Sequence, residues 1–422
     1  MFTLSLALTL LPAFAPDRDR AAELIRDALA PTATLDLDDV SRAILFELQG
    51  SRMASRFRER IAGGGDLRPA FAATLDELTF KPTLEGAMPV GWPQPTTLEE
   101  IELKRYPTTR LARAEMGSST FGPFMSLFRH ISQRDIPMTV PVATELEGED
   151  AREVTMDFLY QGPNVGAIES DGTVRVLDVE PATFVSLGQR GRSTNARIQA
   201  ALAELHAYVA GRDHLAPTPG ERVLEYNGPS VRGERRYFEV QLAVIDLTVA
   251  DFSTDQDVAR WSTIDDRVMG GISRSRMVAT ANGTARFEGL MSLASNGGFA
   301  SVRSEPGPWI AAGTEALRLR VRGDGKTYQL RLRTGDEFDG PSYGATFSAP
   351  QGEWTEITLL LRDFRATFRG REVRAEPLAP ENVRTLGLMI ADEQDGEFAL
   401  EIGWIRRAGL PTEVEPKTDS DD

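Results

Sequence analysis

The chain has 422 residues, 41% hydrophobic and 26% charged, with a formal net charge of −16 and no cysteine. That length and apolar content suit two or three globular domains. The acidic balance argues against nucleic acid or an anionic lipid surface as partner, and the missing cysteine excludes disulfides, zinc–thiolate sites and thiol chemistry.

Residues 1–15 form a short apolar run ending in Ala13-Phe14-Ala15, which fits a small-x-small cleavage site. The expectation is a signal peptide and export to a periplasm or the extracellular space. No other run is long and apolar enough for a transmembrane segment. Residues 16–80 read as a helical N-terminal region. Ala21, Leu24, Ile25, Ala28 and Leu29 recur at helical spacing, and Ile44, Leu48, Met53, Phe57 and Ile61 continue it. Gly63-Gly64-Gly65 breaks the pattern before Phe71, Leu75 and Leu78 resume it. Pro82, Pro89, Pro93 and Pro95, with Gly86 and Gly91, make residues 81–99 a linker or irregular chain.

Residues 100–247 mix strands with a few helices, an α+β habit. Val154, Met156, Phe158 and Tyr160 alternate on one face, residues 173–179 and 182–187 read as strands, and Tyr237 to Val244 as another. Ile198, Leu202, Leu205 and Val209 share one helix face. Tyr106-Pro107, Phe124, Leu127-Phe128-Arg129-His130-Ile131 and Ile136-Pro137-Met138-Thr139-Val140-Pro141-Val142 are the distinctive strings, followed by the helix to Val209 and Arg235 to Val240. In these the segment resembles the SOUL haem-binding family. The resemblance implies a distorted β-barrel with helices and a haem or other tetrapyrrole ligand, or another flat hydrophobic small molecule. Of the three histidines, His130, His206 and His214, the first is the candidate haem ligand, because neutral imidazole ligates haem iron. The other reading of His130 is a packed core histidine in an apolar helix. Phe128 and Met138 are the candidate cofactor contacts beside it.

Residues 248–407 are rich in short alternating strands separated by Gly, Asp and Pro, the habit of an all-β sandwich. Trp261 leads to Asp265-Asp266-Arg267-Val268-Met269-Gly270-Gly271-Ile272-Ser273, and a second glycine pair follows in Asn296-Gly297-Gly298-Phe299. Arg322-Gly323-Asp324-Gly325-Lys326, Phe368-Arg369-Gly370-Arg371 and Leu386-Gly387-Leu388-Met389 come later, then Ile402-Gly403-Trp404-Ile405. This run resembles the complex I intermediate-associated protein 30 family. The resemblance implies a galactose-binding-like sandwich, or jelly roll, and its best-known members help assemble respiratory complex I.

Asp265 and Asp266 are the candidate metal ligands, for calcium; the competing reading is that they bond turn amides or pair with arginine. Arg318, Arg320 and Arg322 share one strand face, and Arg331 and Arg333 another. A hairpin about residues 323–326 would gather all five into a basic patch for a protein partner or glycan; an ordinary neutralised outer face is the alternative. Trp309, between prolines and glycine, is the expected exposed contact, and Trp354 is expected in the core. Residues 408–422 are expected to be a disordered acidic tail.

No nucleophile elbow, metalloprotease motif or phosphate loop occurs. The expectation is therefore a multidomain, non-enzymatic binding protein. Two alternatives stand beside it: an assembly factor or scaffold for a membrane or envelope complex without a small ligand, and an enzyme acting on a small molecule in the SOUL-like groove.

Overall fold

The computed structural model describes residues 16–408, apart from 118, 119, 149, 229 and 336–339. The expected signal peptide and residues 409–422 of the expected tail lie outside the described residues. The chain divides into two units, Met1–Asp246 and Leu247–Asp422. It is mostly antiparallel β-sheet, with seven α-helices among the described residues.

The first unit opens with α1 (Arg18–Leu29), α2 (Leu37–Glu47), α3 (Arg52–Ile61) and α4 (Arg68–Leu78). The side chains of Asp17, Asp36 and Ser51 accept backbone N–H groups at the starts of α1, α2 and α3. The apolar stripes close on Ile25, Ile44, Leu48, Met53, Phe57 and Phe71. Strands β1 (Ile101–Tyr106) and β2 (Thr109–Glu115) precede α5 (Phe121–Gln133). Then come β3 (Val142–Glu147), β4 (Arg152–Leu159), β5 (Ser170–Asp171), β6 (Val174–Val179) and β7 (Ala182–Arg190). Helix α6 (Asn195–Ala210), β8 (Leu215–Glu225) and β9 (Tyr237–Asp246) complete the unit.

These strands form one nine-stranded sheet, in the order β1-β7-β9-β8-β3-β4-β2-β6-β5. Among the described residues no pairing joins β1 to β5, so the hydrogen-bonded path is open; the resemblance implied a distorted β-barrel. On the inner strand β9, Phe238, Val240, Leu242 and Val244 pack under α6 with Ile198, Leu202 and Leu205. The alternate residues Tyr237, Glu239, Gln241 and Ala243 face the other way and are also buried. What covers them is residues 81–99, which the prolines had suggested were a linker. Trp92, Thr96 and Leu98 are buried there, and Ala87 and Leu98 bridge to Thr139 and Gly188. Prolines stop this stretch from forming a helix or inner strand, and it serves instead as irregular cover.

The second unit contains β10 (Thr248–Asp251), α7 (Asp255–Ala259), β11 (Trp261–Thr263), β12 (Arg274–Ala279), β13 (Ala285–Met291) and β14 (Ala300–Ser304). It continues with β15 (Ala316–Arg322), β16 (Thr327–Arg333), β17 (Ser342–Ser348) and β18 (Thr355–Leu360). It ends with β19 (Arg365–Phe368), β20 (Arg371–Glu372), β21 (Thr385–Ile390) and β22 (Gly396–Ala408). One sheet runs β12-β13-β22-β15-β18 with β10 on β22, and the other β11-β14-β21-β16-β17-β19-β20. Leu317, Leu319 and Val321 of the first and Tyr328, Leu330 and Leu332 of the second share one core, which makes a β-sandwich.

The expected β15–β16 hairpin does not form. The two strands carry apolar rows that must both face the core, and placing them in opposite sheets achieves this. The connection crosses from sheet to sheet through Gly323, where a Cβ would lie 2.3 Å from that of Ala349. Asp324 fixes it, accepting from Lys326 N at 3.1 Å, Tyr328 Oη at 2.9 Å and Ala399 N at 3.0 Å.

Candidate functional site

The face of the nine-stranded sheet under residues 81–99 holds a dense buried polar network. Register brings it together: Glu145 of β3 lies beside Arg222 of β8, Arg222 beside Gln241 of β9, and Gln241 beside Ser186 of β7. Glu239 is fully buried and ionised. It accepts from Thr96 N at 2.7 Å, Ser186 Oγ at 2.7 Å, Gln241 Nε2 at 2.8 Å, Tyr226 Oη at 3.0 Å and Lys104 Nζ at 3.1 Å. Burial works against its charge, but Lys104, the Thr96 amide and Ser186 outweigh it and hold the carboxyl below its ordinary range. Burial and the Glu239 charge together raise Tyr226 and Tyr237.

Beside this network is a cavity of about 80 Å³, whose walls include Trp92, Tyr106, Leu111, Leu159, Phe184 and Arg222. The Arg222 guanidinium lies 3.7 Å from the ring centre of Phe184 and 4.6 Å from that of Tyr106. Its Nε donates to Gln241 Oε1 at 2.9 Å. Its Nη2 is buried without a hydrogen-bond partner among the described residues. Asp157, also on the wall, is gripped by Arg113 through two bonds of 2.8 and 2.7 Å. Burial nevertheless pushes its carboxyl up to about 6, against the pull of Arg113. None of these residues was expected as a site residue, although Tyr106 and Tyr237 to Glu239 lie in the strings that carry the SOUL resemblance. Glu239 and Gln241 alternate with apolar residues as a solvated face would, and the covering strap could not be foreseen.

The residues expected to hold haem do not form one site. His130 is 2% exposed, and its Nε2 lies 3.0 Å from Tyr160 Oη inside the core. Phe128 is 43% exposed, about 200° around the helix from His130 at two residues' spacing. It stacks on Phe124 with ring centres 6.4 Å apart. Met138 is 37% exposed on the chain after α5. His206 pairs with Glu221 at 2.8 Å on the surface. Pockets for drug-sized ligands run to about 300–1,000 Å³, so the cavity beside Arg222 does not take a whole tetrapyrrole. The residues present do not fit an axially ligated haem.

In the sandwich, Asp265 and Asp266 act as anchors rather than metal ligands. Asp265 accepts from Ser275 N at 2.9 Å, Ser275 Oγ at 2.6 Å and Ser301 N at 3.1 Å. Asp266 accepts from Ser273 N at 3.0 Å, Ser273 Oγ at 2.5 Å and Gly298 N at 2.8 Å. No group of three or more metal-ligating side chains occurs among the described residues. The glycines follow from the same carboxylate: a Cβ on Gly271 would lie 2.3 Å from Asp266 Cγ, and one on Gly297 2.8 Å from its Oδ2. Gly270 takes a φ of 93°.

The five arginines divide between two outer faces. On the first sheet Arg318 pairs with Glu356 and Arg322 with Glu401, while Arg320 and Arg322 each lie 5.1 Å from the ring of Trp354. That face is the neutralised one, and Trp354 is partly exposed rather than core. Trp309, expected outside, is 8% exposed and donates to Glu305 O at 3.0 Å. The second sheet is different. Cross-strand register sets Arg303, Gly387, Arg331, Gly344 and Arg365 in one row on its outer face. Arg331 donates to Thr367 Oγ1 at 2.7 Å, Ser342 Oγ at 3.2 Å and Gln329 Oε1 at 3.2 Å, all neutral. Burial and Arg333 bring Arg331 down to about 10. Burial, then Arg333 and Arg331, do the same to Arg303. Sequence alternation found Arg331 and Arg333 but not Arg303 or Arg365, which only the register adds.

Residues 250–402 match the family described as Complex I intermediate-associated protein 30 (CIA30), and residues 93–243 match SOUL heme-binding protein. The two resemblances expected from the sequence are thus both found, in that order along the chain. Mouse Complex I intermediate-associated protein 30, mitochondrial, is 25% identical over 218 residues, covering 46% of this chain and 64% of that protein. The Caenorhabditis elegans Probable complex I intermediate-associated protein 30, mitochondrial, is 27% identical over 191 residues, covering 39% and 54%. The chain therefore spans between about half and two thirds of these relatives. Among solved structures, a Family 11 Carbohydrate-Binding Module from Clostridium thermocellum in complex with a mixed-linked tetrasaccharide aligns with a TM-score of 0.31 and 12% identity. It covers 39% of this chain and 95% of that one, a likeness too loose to assign a ligand.

Both family descriptions name binding or assembly-associated proteins. The expectation of export is corrected by the same relatives, whose names are mitochondrial and point to that organelle instead.

Proposed function

We propose that this chain is a non-enzymatic binding protein that assists the assembly of a respiratory complex I. Its galactose-binding-like sandwich engages an acidic surface of a protein partner, and its nine-stranded SOUL-like unit holds a small ligand with a flat apolar part. The observation that carries the reading is the row Arg303–Gly387–Arg331–Gly344–Arg365. Glycines between the arginines leave room for the guanidinium groups to lie along the sheet, where planar bidentate contact with carboxylates is favoured. A protein is preferred to a glycan because no tryptophan stands in the row to stack on a sugar ring. The relatives' names support the assembly role.

The test is loss of the chain in its own cells. Solubilised membranes on a native gel, stained for NADH dehydrogenase activity, are expected to lose mature complex I and to accumulate a smaller intermediate. Unchanged complex I would overturn the reading.

A further inference from the structure

We propose that the cavity beside Arg222 is a carboxylate-binding site, taking the head group of a small organic acid whose apolar body lies against Trp92 and Phe184. The proposal rests on the ligand-holding reading of this unit and deepens it. It does not depend on the assembly role.

Three observations converge on Arg222. First, its Nη2 is buried and has no acceptor among the described residues. A buried donor left unpaired costs ~1–3 kcal/mol, so an arriving oxygen acceptor gains what the protein leaves unmet. Second, the carboxylates around it are engaged elsewhere. Asp157 and Glu145 are held by Arg113, Glu239 by Lys104, and Glu221 by His206. Glu180, also on the wall, is on the exposed side. Third, Arg222 cannot swing away to find a partner. It is stacked against Phe184 and Tyr106 and tied through Nε to Gln241. Burial lowers its pKa, against the opposing pull of Tyr106, Tyr226, Glu239 and Asp157.

The walls then select the ligand. A volume of about 80 Å³ suits a small acid, a carboxyl head with a compact apolar body. Leu111, Leu159, Trp92 and Phe184 favour an apolar body over a second charge. Glu145, Glu221 and Glu180 at the same cavity would repel a dicarboxylate. The class is therefore a monocarboxylic acid, aliphatic or aromatic.

The test uses the full chain, with acetate, butyrate and benzoate as probes and benzamide as the uncharged control. Trp92 is one of five tryptophans, so its emission change is read as a ligand-induced difference over the constant signal of the other four, and thermal shift gives an independent readout. Expected is a saturable response to benzoate, stronger than to acetate, and at least tenfold weaker with benzamide. Arg222→Met should abolish it. Because that change alters a packed cation, Ala182→Leu serves as a second variant, filling the cavity from another wall without touching Arg222. It should also abolish binding. Equal binding of benzoate and benzamide, or benzoate binding that survives both variants, would overturn the proposal. So would no response to any acid. A parallel haemin titration separates the two levels: saturable haemin binding without any acid response would refute the Arg222 site while leaving the unit a ligand holder.

Discussion

Replacing Asp266 by alanine tests the view that the paired carboxylates of the sandwich are structural. Asp266 is fully buried and gathers donors from two separate segments: Ser273 N and Oγ, and Gly298 N. Alanine leaves two backbone N–H groups and one hydroxyl facing an apolar void. At ~1–3 kcal/mol for each stranded donor, and with incomplete additivity, the expected loss is about 3–5 kcal/mol. For a unit of this size, that is a fall in melting temperature of about 6–20 °C. Four of the five tryptophans, Trp261, Trp309, Trp354 and Trp404, lie in the second unit, so tryptophan emission during urea or thermal unfolding of the full chain follows it. EDTA should leave the wild-type transition where it is. A loss under ~1 kcal/mol would mean that the donors find water and that the anchor is incidental. A transition lowered by EDTA would restore the calcium reading and refute this one.

Three further outcomes are expected. Lys104→Met should destabilise the first unit by about 3–5 kcal/mol, because Glu239 is left charged and buried; adding Glu239→Gln should recover part of the loss in a double-mutant cycle of denaturant midpoints. Asp157, with its carboxyl raised to about 6, holds a proton in the folded state that the unfolded chain releases near pH 4. Its contribution to stability therefore falls as pH rises from about 4 to 6, and Asp157→Asn should flatten that part of a stability–pH profile, whereas an unchanged slope would assign it to other groups. His130→Ala should leave any haemin absorbance change intact, since its ring is engaged with Tyr160 inside the core; loss of a saturable Soret band in that variant would make it the axial ligand after all.

Much of the architecture was legible from period alone. The stripes at Ile25, Ile44 and Phe57 gave the N-terminal helices, and alternation at Leu317–Val321 and Tyr328–Leu332 gave strands with one apolar face. Period says which residues share a face, but not what covers it. Glu239 and Gln241 read as solvated until residues 81–99 are laid over them, and those residues hid behind their prolines. Partner choice is equally non-local. Leu317–Val321 and Tyr328–Leu332 suit a hairpin or two opposed sheets, and only the whole core decides. Arg303 and Arg365 are 62 positions apart in the chain, and five strands must pair in register before they share a row with Arg331. His130 sat in an apolar helix that offered both a core and a ligand role, and Tyr160, thirty residues later, decides its place.

The central claim is that the arginine row engages the partner through which this chain serves complex I. In cells lacking the chain, wild type and the double variant Arg331→Gln/Arg365→Gln should be expressed to equal levels, with equal melting temperatures of the purified proteins. Native gels should show complex I restored by wild type. The account predicts that the variant leaves the intermediate unresolved and no longer co-migrates with it. Full restoration of complex I by the variant would contradict the account.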